Sequence, residues 1–73
     1  MGILNFGCSQ TWVVKIQVEE NEPYTRVVRG SKKSMISAAR EKATEVVFND
    51  TADGFIINCI VKGKKVTMEH SRR

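Results

Sequence analysis

The hydrophobic pattern of this chain changes period at Gly30-Ser31, and that change limits which folds are open to it. Before it, residues 11–19 alternate: Trp12, Val14, Ile16 and Val18 point one way, Val13, Lys15, Gln17 and Glu19 the other. A period of two is that of a half-buried strand. Glu19-Glu20-Asn21-Glu22-Pro23 then gathers three acids and the single proline of the chain into a turn. Residues 24–29 are rich in β-formers and complete a hairpin.

After Gly30-Ser31 the spacing becomes three and four. Ser31 or Ser34 can act as the N-cap, its hydroxyl accepting from a free first-turn N–H. Met35, Ile36, Ala39, Ala43, Val46 and Val47 form one stripe, which predicts a helix over 32–48 ended by Asn49 and a loop over 50–54. Residues 55–61 read as a strand with apolar side chains on both faces, Phe55, Ile57, Cys59 and Val61 on one and Ile56 and Ile60 on the other. Lys62-Gly63-Lys64 is a hairpin turn, and residues 66–70 pair back from it.

The resulting expectation is an α+β, two-layer ββαββ domain: a four-stranded antiparallel sheet with one helix packed on one face. Residues 1–10 would be a short N-terminal segment, 11–70 the single domain and 71–73 a basic tail. The uncovered sheet face would carry Val13, Ile56 and Ile60, a candidate surface for a homodimer or another partner. A chain of 73 residues leaves no room for a multidomain enzyme, a full dinucleotide-binding fold or an eight-stranded α/β barrel.

Charge is unevenly placed along the chain. Residues 1–25 carry a net −2, residues 26–42 a net +5, residues 43–61 a net −3 and residues 62–73 a net +4. On an up-and-down path through the expected elements, Arg29, Lys32, Lys33, Lys62, Lys64 and Lys65 gather at one end with the helix N-terminus. The acids go to the other end, together with Arg72 and Arg73. Lysines at a helix start oppose the helix dipole, so they do not serve folding, and a free helix N-terminus favours anions. Arg26 and Arg40 add to the same basic block. The partner expected for such an end is a nucleic-acid phosphate backbone or an acidic, nucleic-acid-handling protein.

No catalytic or metal site is expected. Cys8, Cys59 and His70 are scattered, without a C-x-x-C or a His pair, and the glycines are isolated turn residues rather than a phosphate loop. No cofactor is implied. His70 reads as a surface residue at a strand end, Trp12 as core. There is no run of 18 apolar residues, and Met1-Gly2 is followed by Phe6 where a myristoylation motif needs Ser or Thr. The start lacks the basic region of a secretory signal. Two unpaired thiols fit a cytoplasmic protein that does not enter a membrane.

Gly30-Ser31-Lys32-Lys33-Ser34-Met35-Ile36-Ser37-Ala38-Ala39 resembles the start of the last helix of double-stranded RNA-binding domains, with Ile36 in place of the pattern's third lysine. Two strands precede the helix here where that family has three, and a hairpin follows it. The resemblance implies RNA binding, with Lys32 and Lys33 gripping phosphates across the major groove. In size and style the chain also looks like small phage-encoded inhibitors, such as anti-CRISPR proteins and antitoxins, an analogy that implies occlusion of a host protein. Two functions are therefore expected: a non-enzymatic nucleic-acid-binding module, or a protein-binding inhibitor.

Overall fold

The computed structural model describes residues 10–73. The alternating segment forms β1 (Gln10–Val18), and after the acidic turn β2 (Tyr24–Gly30) pairs back antiparallel, with Trp12 opposite Val28 and Ile16 opposite Tyr24. Helix α1 (Lys32–Lys42) follows, then β3 (Thr44–Asp50), β4 (Gly54–Val61) and β5 (Lys64–Arg72). The strands form one sheet in the order β2-β1-β5-β4-β3, every neighbouring pair antiparallel. The C-terminal strand is thus the central one, joining the β1–β2 hairpin to the β3–β4 hairpin.

The expected ββαββ sheet of four strands is corrected to a ββαβββ sheet of five among the described residues. The helix stops at Lys42, and Ala43 leaves helical space at φ −133° and ψ 166° while its N–H still donates to the Ala39 carbonyl. Thr44, Val46, Val47 and Phe48 are β-branched or aromatic and fit a pleated strand better than a helix. Strand β4 also presents an edge whose backbone groups need partners, and β3 supplies them. The pairing is irregular between Thr44 and Val47, where Glu45 takes a left-handed φ of 52°. Such a bulge discourages further strand addition at that edge.

Helix α1 starts as its sequence suggests. Ser31 is the N-cap: its hydroxyl accepts from the Ser34 N–H at 3.1 Å, and the Ser34 hydroxyl accepts from the Ser31 N–H at 3.1 Å. The β4–β5 turn is a two-residue turn with Lys62 at φ 52° and Gly63 at φ 80°, both left-handed, as a tight hairpin requires.

The core lies between α1 and the sheet. Trp12, Val14, Ile36, Phe55, Ile57, Cys59 and Val66 are buried, with Met35, Ala39, Ala43 and Val46 packed against them. The Cys59 thiol is buried as expected, and burial raises its pKa. Cys8 and the rest of the expected N-terminal segment lie outside the described residues; Gln10 opens β1, and the expected 71–73 tail begins inside β5. Val13, Ile56 and Ile60 do lie on the face away from the helix, all half-buried. They are not contiguous there: Lys15 and Glu69 stand in the row between Val13 and the end of the face that holds Ile60.

His70 corrects a second expectation. It is 3% exposed, on the central strand rather than at a surface strand end. Its ring stacks on Phe55 with centroids 4.2 Å apart and planes 9° apart, and Trp12 packs edge-on against both rings. Beside it Gly54 runs so close to the strand that an added Cβ would lie 2.1 Å from the His70 carbonyl oxygen.

Burial disfavours charged His70 and lowers its pKa, outweighing backbone hydrogen bonds to Met68 and Phe55 that favour the charged form. A histidine kept neutral by the fold stabilises it fully above the unfolded-state value of about 6.5, and that stability is lost as pH falls below it. Melting temperature should therefore decline as pH falls below about 6.5. The decline should flatten in His70→Phe, as read by thermal denaturation across that range. Gly54→Ala should cost about 1–3 kcal/mol in urea denaturation, because backbone rather than a flexible side chain must move.

Candidate functional site

Strand directions decide which charges meet. Following the registers, β1 begins and β2 ends at one end of the sheet, where α1 starts, β3 ends, β4 begins and β5 ends. That end holds Arg29, Lys32, Lys33, Arg72 and Arg73, with only Asp50 and Asp53 against them. The opposite end holds Lys42, Lys62, Lys64 and Lys65 with Glu19, Glu20, Glu22 and Glu45.

The expected basic end is thus half reassembled. Lys62, Lys64 and Lys65 belong to the other end, beside the acidic turn. There the Lys65 N–H donates to a Glu19 carboxylate oxygen at 2.7 Å, and the Glu19 N–H donates to the Lys65 carbonyl at 2.7 Å. Arg72 and Arg73, expected at the acidic end, join Lys32 and Lys33 instead; the Arg73 N–H donates to the Thr11 carbonyl at 3.1 Å. The cause is β3. It adds one chain reversal after the helix, which exchanges the ends for everything downstream.

Lys32 and Lys33 open α1, and their N–H groups are among those a helix leaves without internal acceptors. No acidic residue occupies the first turn. Lys32, Lys33 and Arg72 share an open cleft of about 700 Å³ with Ser31, Trp12 and Phe55. Its floor is aromatic. The Arg72 guanidinium lies 5.6 Å from the Trp12 ring centroid, and the Lys32 ammonium lies 5.8 Å from that of Phe55. Trp12 is fixed in turn by its indole N–H, which donates to the Gly30 carbonyl at 2.8 Å.

A second depression adjoins the first. Lys32, Lys33, Ile36, Ser37, Arg40 and Phe48 line a groove of about 410 Å³ between α1 and the edge strand β3. Lys33, Ser37 and Arg40 stand four and three residues apart, one stripe of the helix. Phe48, on the helix side of β3, is 37% exposed, and the Lys32 ammonium lies 5.4 Å from its centroid. Lys32 also forms an ion pair with Asp50. The groove therefore unites Lys32, Lys33 and Arg40 of the expected residues. Arg29 lies at the same end but on the opposite sheet face, and Arg26 lies midway along β2, with its guanidinium 5.7 Å from the Tyr24 centroid.

Arg72 and Phe48 were not among the expected site residues. For Phe48 a signal existed: Val46-Val47-Phe48 is a β-branched and aromatic run. Arg72 carried no local signal, because its position depends on where β5 inserts.

Among the described residues no three His, Cys, Asp or Glu side chains cluster as metal ligands would, and no helix is long and apolar enough to cross a membrane. The arrangement is suited to holding an anion by charge and by backbone N–H groups.

The Lys32–Asp50 pair is exposed, with 39% and 71% of the two side chains accessible, so it adds little to stability. Asp50→Asn should lower unfolding free energy by less than about 1 kcal/mol in urea titration. Comparison of the chain with protein-family models, with curated proteins and with solved structures finds no match.

Proposed function

We propose that this protein is a non-enzymatic nucleic-acid-binding module whose contact surface is the helix-start end of the sheet. One observation carries the reading: Lys32, Lys33 and Arg72, which come from two distant parts of the chain, converge on a single open cleft at the start of α1. Convergent cations over low-dielectric aromatic walls hold a polyanion better than scattered surface lysines do. The first-turn N–H groups add donors aimed outward. The double-stranded RNA-binding resemblance assigns phosphate contact to the same Lys32 and Lys33, and their place at the open start of α1 supports phosphate contact there whichever form the strand takes. Arg40 extends the surface along the helix. Lys62, Lys64 and Lys65, surrounded by glutamates, are outside it.

The second reading is a protein-binding inhibitor, of the kind found among phage-encoded proteins, acting in the cytoplasm on a nucleic-acid-handling partner. Its support is the sheet face opposite the helix. Val27 and Val47 are 54% and 56% exposed there, alongside half-buried Val13, Ile56 and Ile60. A homodimer through that face belongs to the same reading. Affinity capture with and without nuclease separates the two: partners lost on nuclease treatment support the first, a protein retained after it supports the second.

Binding should weaken steeply with salt, since each neutralised phosphate releases counterions. With about three or four phosphate contacts, log K against log salt should fall with a slope of about −2 to −4. Gel-shift titration of Lys32→Glu/Lys33→Glu should show binding abolished with the fold intact by circular dichroism. Lys64→Glu/Lys65→Glu should bind as the unaltered protein does. Asp50→Asn, which frees Lys32, should tighten binding by about two- to fivefold. Equal losses in both double variants would count against the assigned end.

A further inference from the structure

We infer that the groove between α1 and β3 takes single-stranded rather than duplex nucleic acid, with one base stacked on Phe48 and its phosphates on Lys33 and Arg40. The inference rests on the proposed nucleic-acid-binding reading and goes past it by naming the form of the strand.

Phe48 is the observation that duplex binding leaves unused. It sits on the helix side of the sheet, opposite buried Ile57, where a side chain would ordinarily be covered. Because β3 is the edge strand, no strand of the described residues lies beyond it, and the ring stays 37% exposed. Around it stand Lys32, Lys33 and Arg40, with Ile36 and Ser37 completing the groove. A cationic groove with an exposed aromatic ring is the pairing by which proteins hold single strands, because every base has a π-face and every nucleotide a phosphate.

The geometry disfavours a duplex at this place. The ring lies in a depression of about 410 Å³ flanked by the helix, not on a projecting ridge. In a duplex the base faces are hidden against their neighbours, so a recessed ring cannot reach one. An unpaired base can turn into the groove. Lys33 and Arg40 are seven residues apart on one helix, about 10 Å along its axis. That separation lets two cations flank the ring along a single backbone. Lys32, now 5.4 Å from the ring centroid and paired with Asp50, exchanges that carboxylate for a phosphate when a base takes its place over the ring. Stacking of this kind reads no base edge, so sequence preference should be slight.

Fluorescence anisotropy with labelled eight-nucleotide oligo-U RNA and oligo-dT DNA, each compared with a duplex of the same length at low salt, tests the inference. A single strand of either sugar should bind about tenfold or more tightly than the duplex. Phe48→Leu keeps an apolar side chain of similar bulk but removes the π-face. It should weaken single-strand binding about 5- to 100-fold and leave the melting transition nearly unchanged. Phe48→Trp should retain binding, and its fluorescence should be quenched as the strand is added. Unchanged single-strand affinity in Phe48→Leu, or a duplex preference, overturns the inference. If Lys32→Glu/Lys33→Glu still abolishes binding in that case, nucleic-acid binding stands without it. Absence of binding by every oligonucleotide removes both.

Discussion

Trp12, Phe55 and His70 form the contact on which the rest of the molecule depends. They come from β1, β4 and β5, three neighbouring strands of the sheet, and join the first strand to the distant C-terminal hairpin. Their rings lie within 4.2 to 6.3 Å of one another by centroid, one pair stacked and the others edge-on. Aromatic pairs in such geometries contribute about 0.5–1.5 kcal/mol beyond the burial of their area. In so short a chain that is a large part of net stability, which for domains of this kind amounts to a few kcal/mol. The cluster also sets the outer surface. The Trp12 indole ties down Gly30, the residue before the N-cap, while Arg72 and Lys32 lie over the Trp12 and Phe55 rings. The basic end is built directly on the aromatic core.

The path of the chain explains why one short helix suffices and what it leaves uncovered. Strands β2 and β3 occupy opposite edges, and α1 links them while running from the end where β2 stops to the end where β3 starts. Its backbone lies closest to β3 and β4. A single helix is about 10 Å wide against about 19 Å between the outer strands, so it covers part of the sheet and cannot blanket it. An apolar cleft of about 340 Å³ remains beside its C-terminal half, bordered by Ile16, Val28, Ala39, Val61 and Met68. On the other flank, toward β3, the gap is lined by cations and Phe48 instead. The same incomplete coverage produces both, and the placement of lysines and arginine on one side of α1 gives the second its charge.

Much of this architecture was legible locally. The alternation of β1, the Ser31 cap, the Lys62-Gly63 turn and the burial of Trp12 and Cys59 each follow from a few neighbouring residues. The boundary at Lys42 was not legible in the same way, because Ala43, Val46 and Val47 fit a helical stripe and a strand about equally. Tertiary demand decided between them, since β4 has an edge to be paired. That one boundary governed the rest. Lys32, Lys33 and Arg40 stayed together because they share a helix, whereas Lys62, Lys64 and Lys65 were placed by counting reversals, and one uncounted reversal sends them to the far end. His70 shows the same dependence: residue spacing locates it near the end of a strand, and only the insertion of β5 at the centre of the sheet reveals that it is core.

The central claim is that the surface around the start of α1, and not the lysine-rich turn at the far end, meets the partner. Amide chemical-shift mapping by NMR during titration with a short single-stranded oligonucleotide tests it residue by residue. The account predicts the largest changes at Ser31, Lys32, Lys33, Ser37, Arg40, Phe48 and Arg72, with residues 62–65 unmoved. Changes centred on residues 62–65, or spread evenly over both ends, would contradict it.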